Sequence, residues 1–212
     1  MATATLIFSK RWTSVSVWLV YAVGLVPAAW SFYLGATGGL GADPVKSFEL
    51  LLGLWTLRFL ILTLAVSPLR ELGGWSFLRY RRALGLLTFY YAAMHFTVYA
   101  VLDQTLMLDA IIADVLKRPF IMFGMAALGL LALLAVTSNA ASIRTLGPNW
   151  IKLHRLVYII AALGAVHFAL WTKVLSLEQY IYIGLILLLI LYRAVRPILR
   201  ERKRKLNRPR RA

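Results

Sequence analysis

The chain has 212 residues, 61% of them hydrophobic and 15% charged, with 24 Lys+Arg against 8 Asp+Glu and a net charge of +16; its mean hydropathy is +0.75. Soluble domains average roughly 45–50% apolar and 25% charged residues, and a core of this size cannot hide the excess apolar surface, so lipid must be part of the solvent. The basic balance does not imply nucleic acid, because the charges fall between apolar blocks and in one tail rather than on the face of a soluble fold. The absence of cysteine excludes disulfides, thiolate metal sites, iron–sulfur clusters and covalent c-type haem attachment.

Six apolar blocks are each long enough to cross a hydrocarbon core, which takes roughly 20 residues at the helical rise. In chain order they cover 12–34, 48–67, 83–102, 119–137, 151–171 and 177–193. They predict an all-α integral membrane protein, a six-transmembrane-helix bundle (12–193) between a short N-terminus (1–11) and a basic tail (194–212). The first block is long and no small-residue cleavage site follows it, so it is expected to remain as a span. The glycine-rich loop 35–46 ends in Asp43-Pro44, which reads as the N-cap and first residue of the next helix. Segment 103–118 alternates acids with Leu106, Leu108, Ile111, Ile112, Val115 and Leu116, which predicts a short amphipathic helix on the outer surface. The sixth block ends in Tyr192 and Arg193, whose side chains reach the interface, and the tail beyond reads as a solvated segment beside anionic lipid. Trp12, Trp18, Trp30, Trp75, Trp150 and Trp171 sit mostly near block ends, as an interfacial belt does. No internal repeat is visible.

Charge sets the orientation. Lys10, Arg11, Arg70, Arg79, Arg81, Arg82, Arg144, Lys152, Arg155 and the basic run from Arg193 to Arg211 fall on one side of the six blocks. The other side holds Lys46, Lys117, Arg118 and Lys173, together with Asp43, Glu49, Asp103, Asp109, Asp114 and Glu178. Positive charge stays cytoplasmic, so both termini are expected inside.

Ionisable residues inside a span are functional candidates, because lipid makes them costly. The chain has three histidines, and all fall in predicted spans. Counted outward from the cytoplasmic ends at the helical rise, His95 lies about 18 Å deep, His167 about 24 Å and His154 about 5 Å. Within a turn of boundary error, His95 and His167 share the outer half of the membrane. Two imidazoles at one depth on different helices are a ligand set for a single b-type haem iron; hydrogen-bonded packing histidines are the alternative. The 13-residue step from His154 to His167 rises about 20 Å, enough for two haems in opposite leaflets, yet it turns an ideal helix by about 220°, so the two do not share a stripe. Counting 13 residues back from His95 reaches Arg82, beside Arg81. An inner haem would therefore use His154 and some other ligand, or this face holds a flavin or quinone, with the arginines pairing to propionates or phosphate. Arg58, about ten residues into the second span, is too deep for a topology signal and is expected to face the bundle, with a haem propionate or quinone oxygen as partner.

Segments GGLGADPVK (38–46), SPLR (67–70), RRALGLLTFYYAAMHFTVYAVL (81–102), KRPF (117–120) and LGPNWIKLHRLVYIIAALGAVHFALW (146–171) resemble the MsrQ (YedZ) family. These are the haem-binding membrane subunits of bacterial periplasmic methionine sulfoxide reductase systems, in the ferric-reductase-like transmembrane superfamily that also contains the NADPH oxidases. The resemblance runs in order from about residue 12 to 193. It implies a b-type cytochrome that carries electrons outward to a soluble molybdopterin subunit, which repairs oxidised periplasmic proteins. The family's haem ligands match His95, His154 and His167, and Arg82 stands where a fourth ligand is expected. The family is also associated with FMN, and with electrons drawn from the quinone pool or a cytosolic flavin reductase. No G-x-G-x-x-G follows a strand here, so reduced nicotinamide is expected to act through a separate protein.

The reading is an electron-transfer subunit that binds one or two b haems and makes or breaks no substrate bond itself. The alternatives are a stand-alone reductase of ferric iron or oxygen at the outer face, which a neighbouring molybdopterin enzyme would disfavour, and a transporter. A transporter would show discontinuous helices and matched halves, and would purify colourless.

Overall fold

The structure, a computed structural model, describes the backbone of residues 2–206 and the side chains of 14–197 and Glu201. The side chains of Lys10, Arg11 and Trp12, and the basic residues of the tail from Arg200 to Arg211, lie outside the described residues. Among the described residues nine α-helices follow in order: α1 Ala2–Ala36, α2 Pro44–Gly73, α3 Arg81–Val98, α4 Leu108–Lys117, α5 Pro119–Val136, α6 Ala140–Leu146, α7 Pro148–Leu153, α8 Val157–Leu170 and α9 Leu177–Leu206. Among the described residues six segments are long and apolar enough to span a membrane: Ser14–Ala36, Pro44–Gly73, Leu78–Asp103, Pro119–Val136, Pro148–Leu170 and Leu177–Pro197. Each overlaps a predicted block, and the differences lie at the ends. With six crossings, the described start of α1 and end of α9 lie at one face of the bundle, the terminal face; the 37–43, 104–118 and 171–176 connections form the opposite, loop face.

The ends follow local chemistry. Asp43 accepts a hydrogen bond from the Lys46 amide at 3.2 Å and Pro44 opens α2, as the sequence predicts. At the other end Gly74 takes a left-handed conformation (φ 72°) and caps α2. The predicted amphipathic helix is α4, which leaves Leu108, Ile112 and Leu116 exposed along one edge. It is held at its root by Tyr99, which donates to Asp114 at 3.0 Å, and by the Arg118–Asp114 pair at 2.8 Å.

Two packed clusters share α2. Leu52, Phe48 and Phe59 meet Ala28 of α1 and Leu87, Tyr91 and Val98 of α3, while Leu57, Leu60 and Leu64 meet Leu131 of α5, Ile160 and Ala161 of α8, and Ile186 of α9. Apolar residues such as Trp18, Val23, Leu187 and Leu191 stay outside both clusters and exposed, the inverse of a soluble core and the surface lipid requires.

Pro27 has no amide hydrogen and disturbs the ladder of α1. The fully buried Tyr91 hydroxyl is spliced in beside it, donating to the Gly24 carbonyl at 2.7 Å and accepting from the Ala28 amide at 2.9 Å. Gly24 permits the approach, since a Cβ there would lie 2.5 Å from Leu87. Tyr91→Phe strands a buried donor and acceptor and is expected to cost about 2 kcal/mol, read as a lower thermal midpoint in detergent.

At the terminal face Glu71, in the last turn of α2, joins α9. It accepts from Tyr192 at 2.9 Å and from Arg196 Nε at 2.8 Å, with Arg196 Nη2 on its second oxygen. The side chains of Glu71 and Arg196 are only 17% and 15% exposed, so Glu71→Ala leaves a guanidinium without its counter-charge. The expected loss is about 2 kcal/mol, seen as faster proteolysis at the C-terminal end of α9.

Candidate metal centre

His95 on α3 and His167 on α8 meet in the loop-face half of the bundle, their ring centroids 6.3 Å apart and planes at 76°. Each is anchored in the same way from a different helix. His95 Nδ1 donates to the Glu49 carbonyl of α2 at 2.8 Å, and His167 Nδ1 donates to the Phe120 carbonyl of α5 at 2.6 Å. Four residues beyond each carbonyl, where the next turn would bring a side chain against the imidazole, stands a glycine. A Cβ on Gly53 would lie 3.5 Å from the His95 ring, and one on Gly124 2.8 Å from the His167 ring. Small residues let membrane helices approach closely, and here they make room for two rings.

With Nδ1–H bound to a carbonyl, Nε2 is the nitrogen whose lone pair is available, the arrangement usual for metal-ligating histidine. With metal–imidazole bonds of about 2.0 Å, two rings sharing one metal have centroids roughly 6 Å apart. The pair therefore fits a metal held between imidazoles.

A cavity of about 440 Å³ surrounds it. Its floor is apolar, built from Leu57, Leu60, Leu131 and Ile160; Phe96, Phe120, Phe168 and Trp171 add aromatic walls. Its mouth at the loop face carries Asp43, Lys46, Glu49, Tyr99, Asp103 and Arg118. A flat, apolar group with charged edges matches this gradient. Sequence reasoning missed Gly53, Gly124 and the mouth residues. An E-x3-G and an F-x3-G opposite two histidines were the available signals, but neither is distinguishable from ordinary packing glycine without knowing which helices pair.

His154 is placed differently. Its Nε2 lies 3.2 Å from the Thr137 hydroxyl, and its ring stacks on Trp150 at 3.9 Å, while Trp150 donates to the Thr137 carbonyl at 2.8 Å. No group of three or more metal-ligating side chains occurs among the described residues, and no second imidazole faces His154. A metal shared as at His95 and His167 does not fit there. The chain is not a continuous helix between His154 and His167, because His154–Leu156 form a 3-10 turn. Three residues at about 120° rather than 100° add roughly 60°, so the predicted offset of about 220° becomes about 280°.

The three arginines singled out from sequence do not line the cavity. Arg81 lies within electrostatic reach of His154, and Arg82 of Tyr21. Arg58 turns toward α9, where its Nε donates to the Tyr182 hydroxyl at 2.7 Å and its Nη2 is 3.8 Å from Glu178. Its partners in the structure are thus groups of α9. Trp150 and Trp171, read from sequence as belt residues, also touch site residues.

Fold and site together define a membrane-embedded helical bundle with a paired-imidazole centre near one face. The family model described as "Ferric reductase like transmembrane component" matches residues 52–165. The protein-methionine-sulfoxide reductase heme-binding subunit MsrQ of Rhizobium meliloti is 61% identical over 187 residues, covering 88% of this chain and 87% of the relative. The subunit of the same name from Brucella anthropi is 60% identical over 194 residues, covering 92% and 88%. That from Brucella ovis is 62% identical, covering 88% and 85%. The chain belongs to the ferric-reductase-like transmembrane family and, within it, to the MsrQ subunits.

Proposed function

We propose that the chain is a b-type cytochrome subunit that passes electrons across a bacterial inner membrane to a periplasmic methionine sulfoxide reductase. The observation that carries this reading is the His95–His167 pair, its centroids 6.3 Å apart and both Nδ1 atoms committed to backbone carbonyls. The printed name of the relatives, a heme-binding subunit of a protein-methionine-sulfoxide reductase, supports it.

These two histidines would hold one haem, which would supply a one-electron iron couple. His95 and His167 orient through their carbonyl bonds. The apolar floor excludes water, and Lys46, 5.9 Å from the Trp171 ring centroid at the mouth, would offer positive charge to an anionic edge of the group. The site opens at the loop face, where a soluble electron acceptor can approach, and the charge bias supports assigning that face to the periplasm. Electrons enter from the terminal face, from the quinone pool or a cytosolic flavin reductase, with His154, Arg81 and Arg82 as the polar groups nearest that entry.

The test is a reduced-minus-oxidised optical spectrum of the purified protein with a haem-to-protein ratio. Low-spin bands and a ratio near one are expected. Colourless protein from haem-supplied cells overturns the reading. Co-purification with a molybdopterin-containing reductase, and oxidation of the reduced subunit on adding it, supports the partner; oxidation by ferric chelate alone points to a stand-alone reductase.

A further inference from the structure

Arg58 is an intramembrane cation that the paired-imidazole centre does not touch. It stands 14 residues along α2 from Pro44, about 21 Å at the helical rise, and its guanidinium lies 4.6 Å from the centroid of Trp55. Its side chain is 34% exposed, whereas that of Glu178, in the first turn of α9, is 53% exposed and sits 3.8 Å away. A carboxylate so exposed and at that distance is screened and compensates the arginine only in part. Side-chain contacts link this charge to the centre. Arg58 bonds Tyr182, whose ring meets Phe168 edge-on with centroids 6.2 Å apart. Phe168 follows His167 in sequence and lines the cavity, as do Leu57 and Leu60 on either side of Arg58. Across such a low-dielectric wall a unit charge acts over distances at which water would have suppressed it.

We propose that Arg58 sets the reduction potential of the His95–His167 centre through its field, with Tyr182 fixing its position and Glu178 opposing it. This rests on the haem reading above. Reduction adds one electron to the iron and no bond changes, so a nearby positive charge stabilises the reduced state and raises the potential. Removing that charge lowers it; removing the opposing carboxylate raises it. A purely structural Arg58–Glu178 pair has no such opposite signs, because breaking either end loosens the same contact.

The experiment is an optical redox titration of the full-length protein in detergent, with dithionite and ferricyanide, on the wild type, Arg58→Gln, Glu178→Gln, Arg58→Lys and Tyr182→Phe. Arg58→Gln is expected to shift the midpoint to more negative values and Glu178→Gln to more positive ones, by less. Arg58→Lys and Tyr182→Phe, which keep the charge, stay close to the wild type. An unchanged or raised midpoint in Arg58→Gln, or a lowered one in Glu178→Gln, overturns the proposal while leaving the haem assignment intact. Should Arg58→Gln fail to fold, the sign of the Glu178→Gln shift decides. A wild-type protein without haem bands overturns the haem assignment itself.

Discussion

Alanine at His95 or at His167 is expected to cut haem content severalfold, with whatever remains converted to a high-spin, singly ligated form. The two variants should be indistinguishable in spectrum, because each removes one end of the same pair, 6.3 Å between centroids. His154→Ala is expected to keep the content and the bands. Its Nε2 is already engaged by Thr137 at 3.2 Å, and its ring is covered by Trp150. Haem-to-protein ratios on material that elutes as a single species in detergent check all three. Equal loss in the His154 variant would mean that the terminal face holds a metal after all, and the one-haem reading would have to be abandoned.

The second large effect needs no change in a ligand. Gly124→Ala places a Cβ 2.8 Å from Cε1 and Nδ1 of His167. The obstructed group is a ring pinned at 2.6 Å to Phe120 in the same helix, not the free end of a flexible chain, so the ring must turn and lose its carbonyl. Nε2 is then misdirected, and haem content is expected to fall severalfold with both histidines intact. Gly53→Ala is the internal control, since its Cβ meets the His95 ring at an ordinary 3.5 Å. That variant should retain haem and gain up to about 1 kcal/mol of stability from the better helix former. If both substitutions are silent, the glycines do not fit the rings to the helices.

The difference between these two glycines shows where sequence reasoning reaches its limit. Spans, their order and the amphipathic α4 were readable because lipid demands about twenty apolar residues per crossing and satisfied backbone in each. Asp43-Pro44 announced the start of α2 because capping is local chemistry. His95 and His167 could be matched in depth from the helical rise alone. Azimuth was beyond reach, for a 3-10 turn at His154–Leu156 changes it without altering the count of residues. Arg58 illustrates the same limit. Its depth marked it as costly in lipid, but Tyr182 and Glu178 are more than a hundred positions away and reach it only through the packing of α9 on α2.

What the amino-acid order alone determined, then, was every property that depends on one helix and its solvent: number of crossings, charge asymmetry, and the level at which each imidazole sits. What only the tertiary structure decided was every property that depends on which helices face each other. The carbonyls of Glu49 and Phe120 become imidazole acceptors, and Gly53 and Gly124 become clearances, because α2 packs on α3 and α5 on α8. Hydrophobicity is non-directional and places a helix in the membrane without choosing its neighbour; close packing and directional hydrogen bonds make that choice.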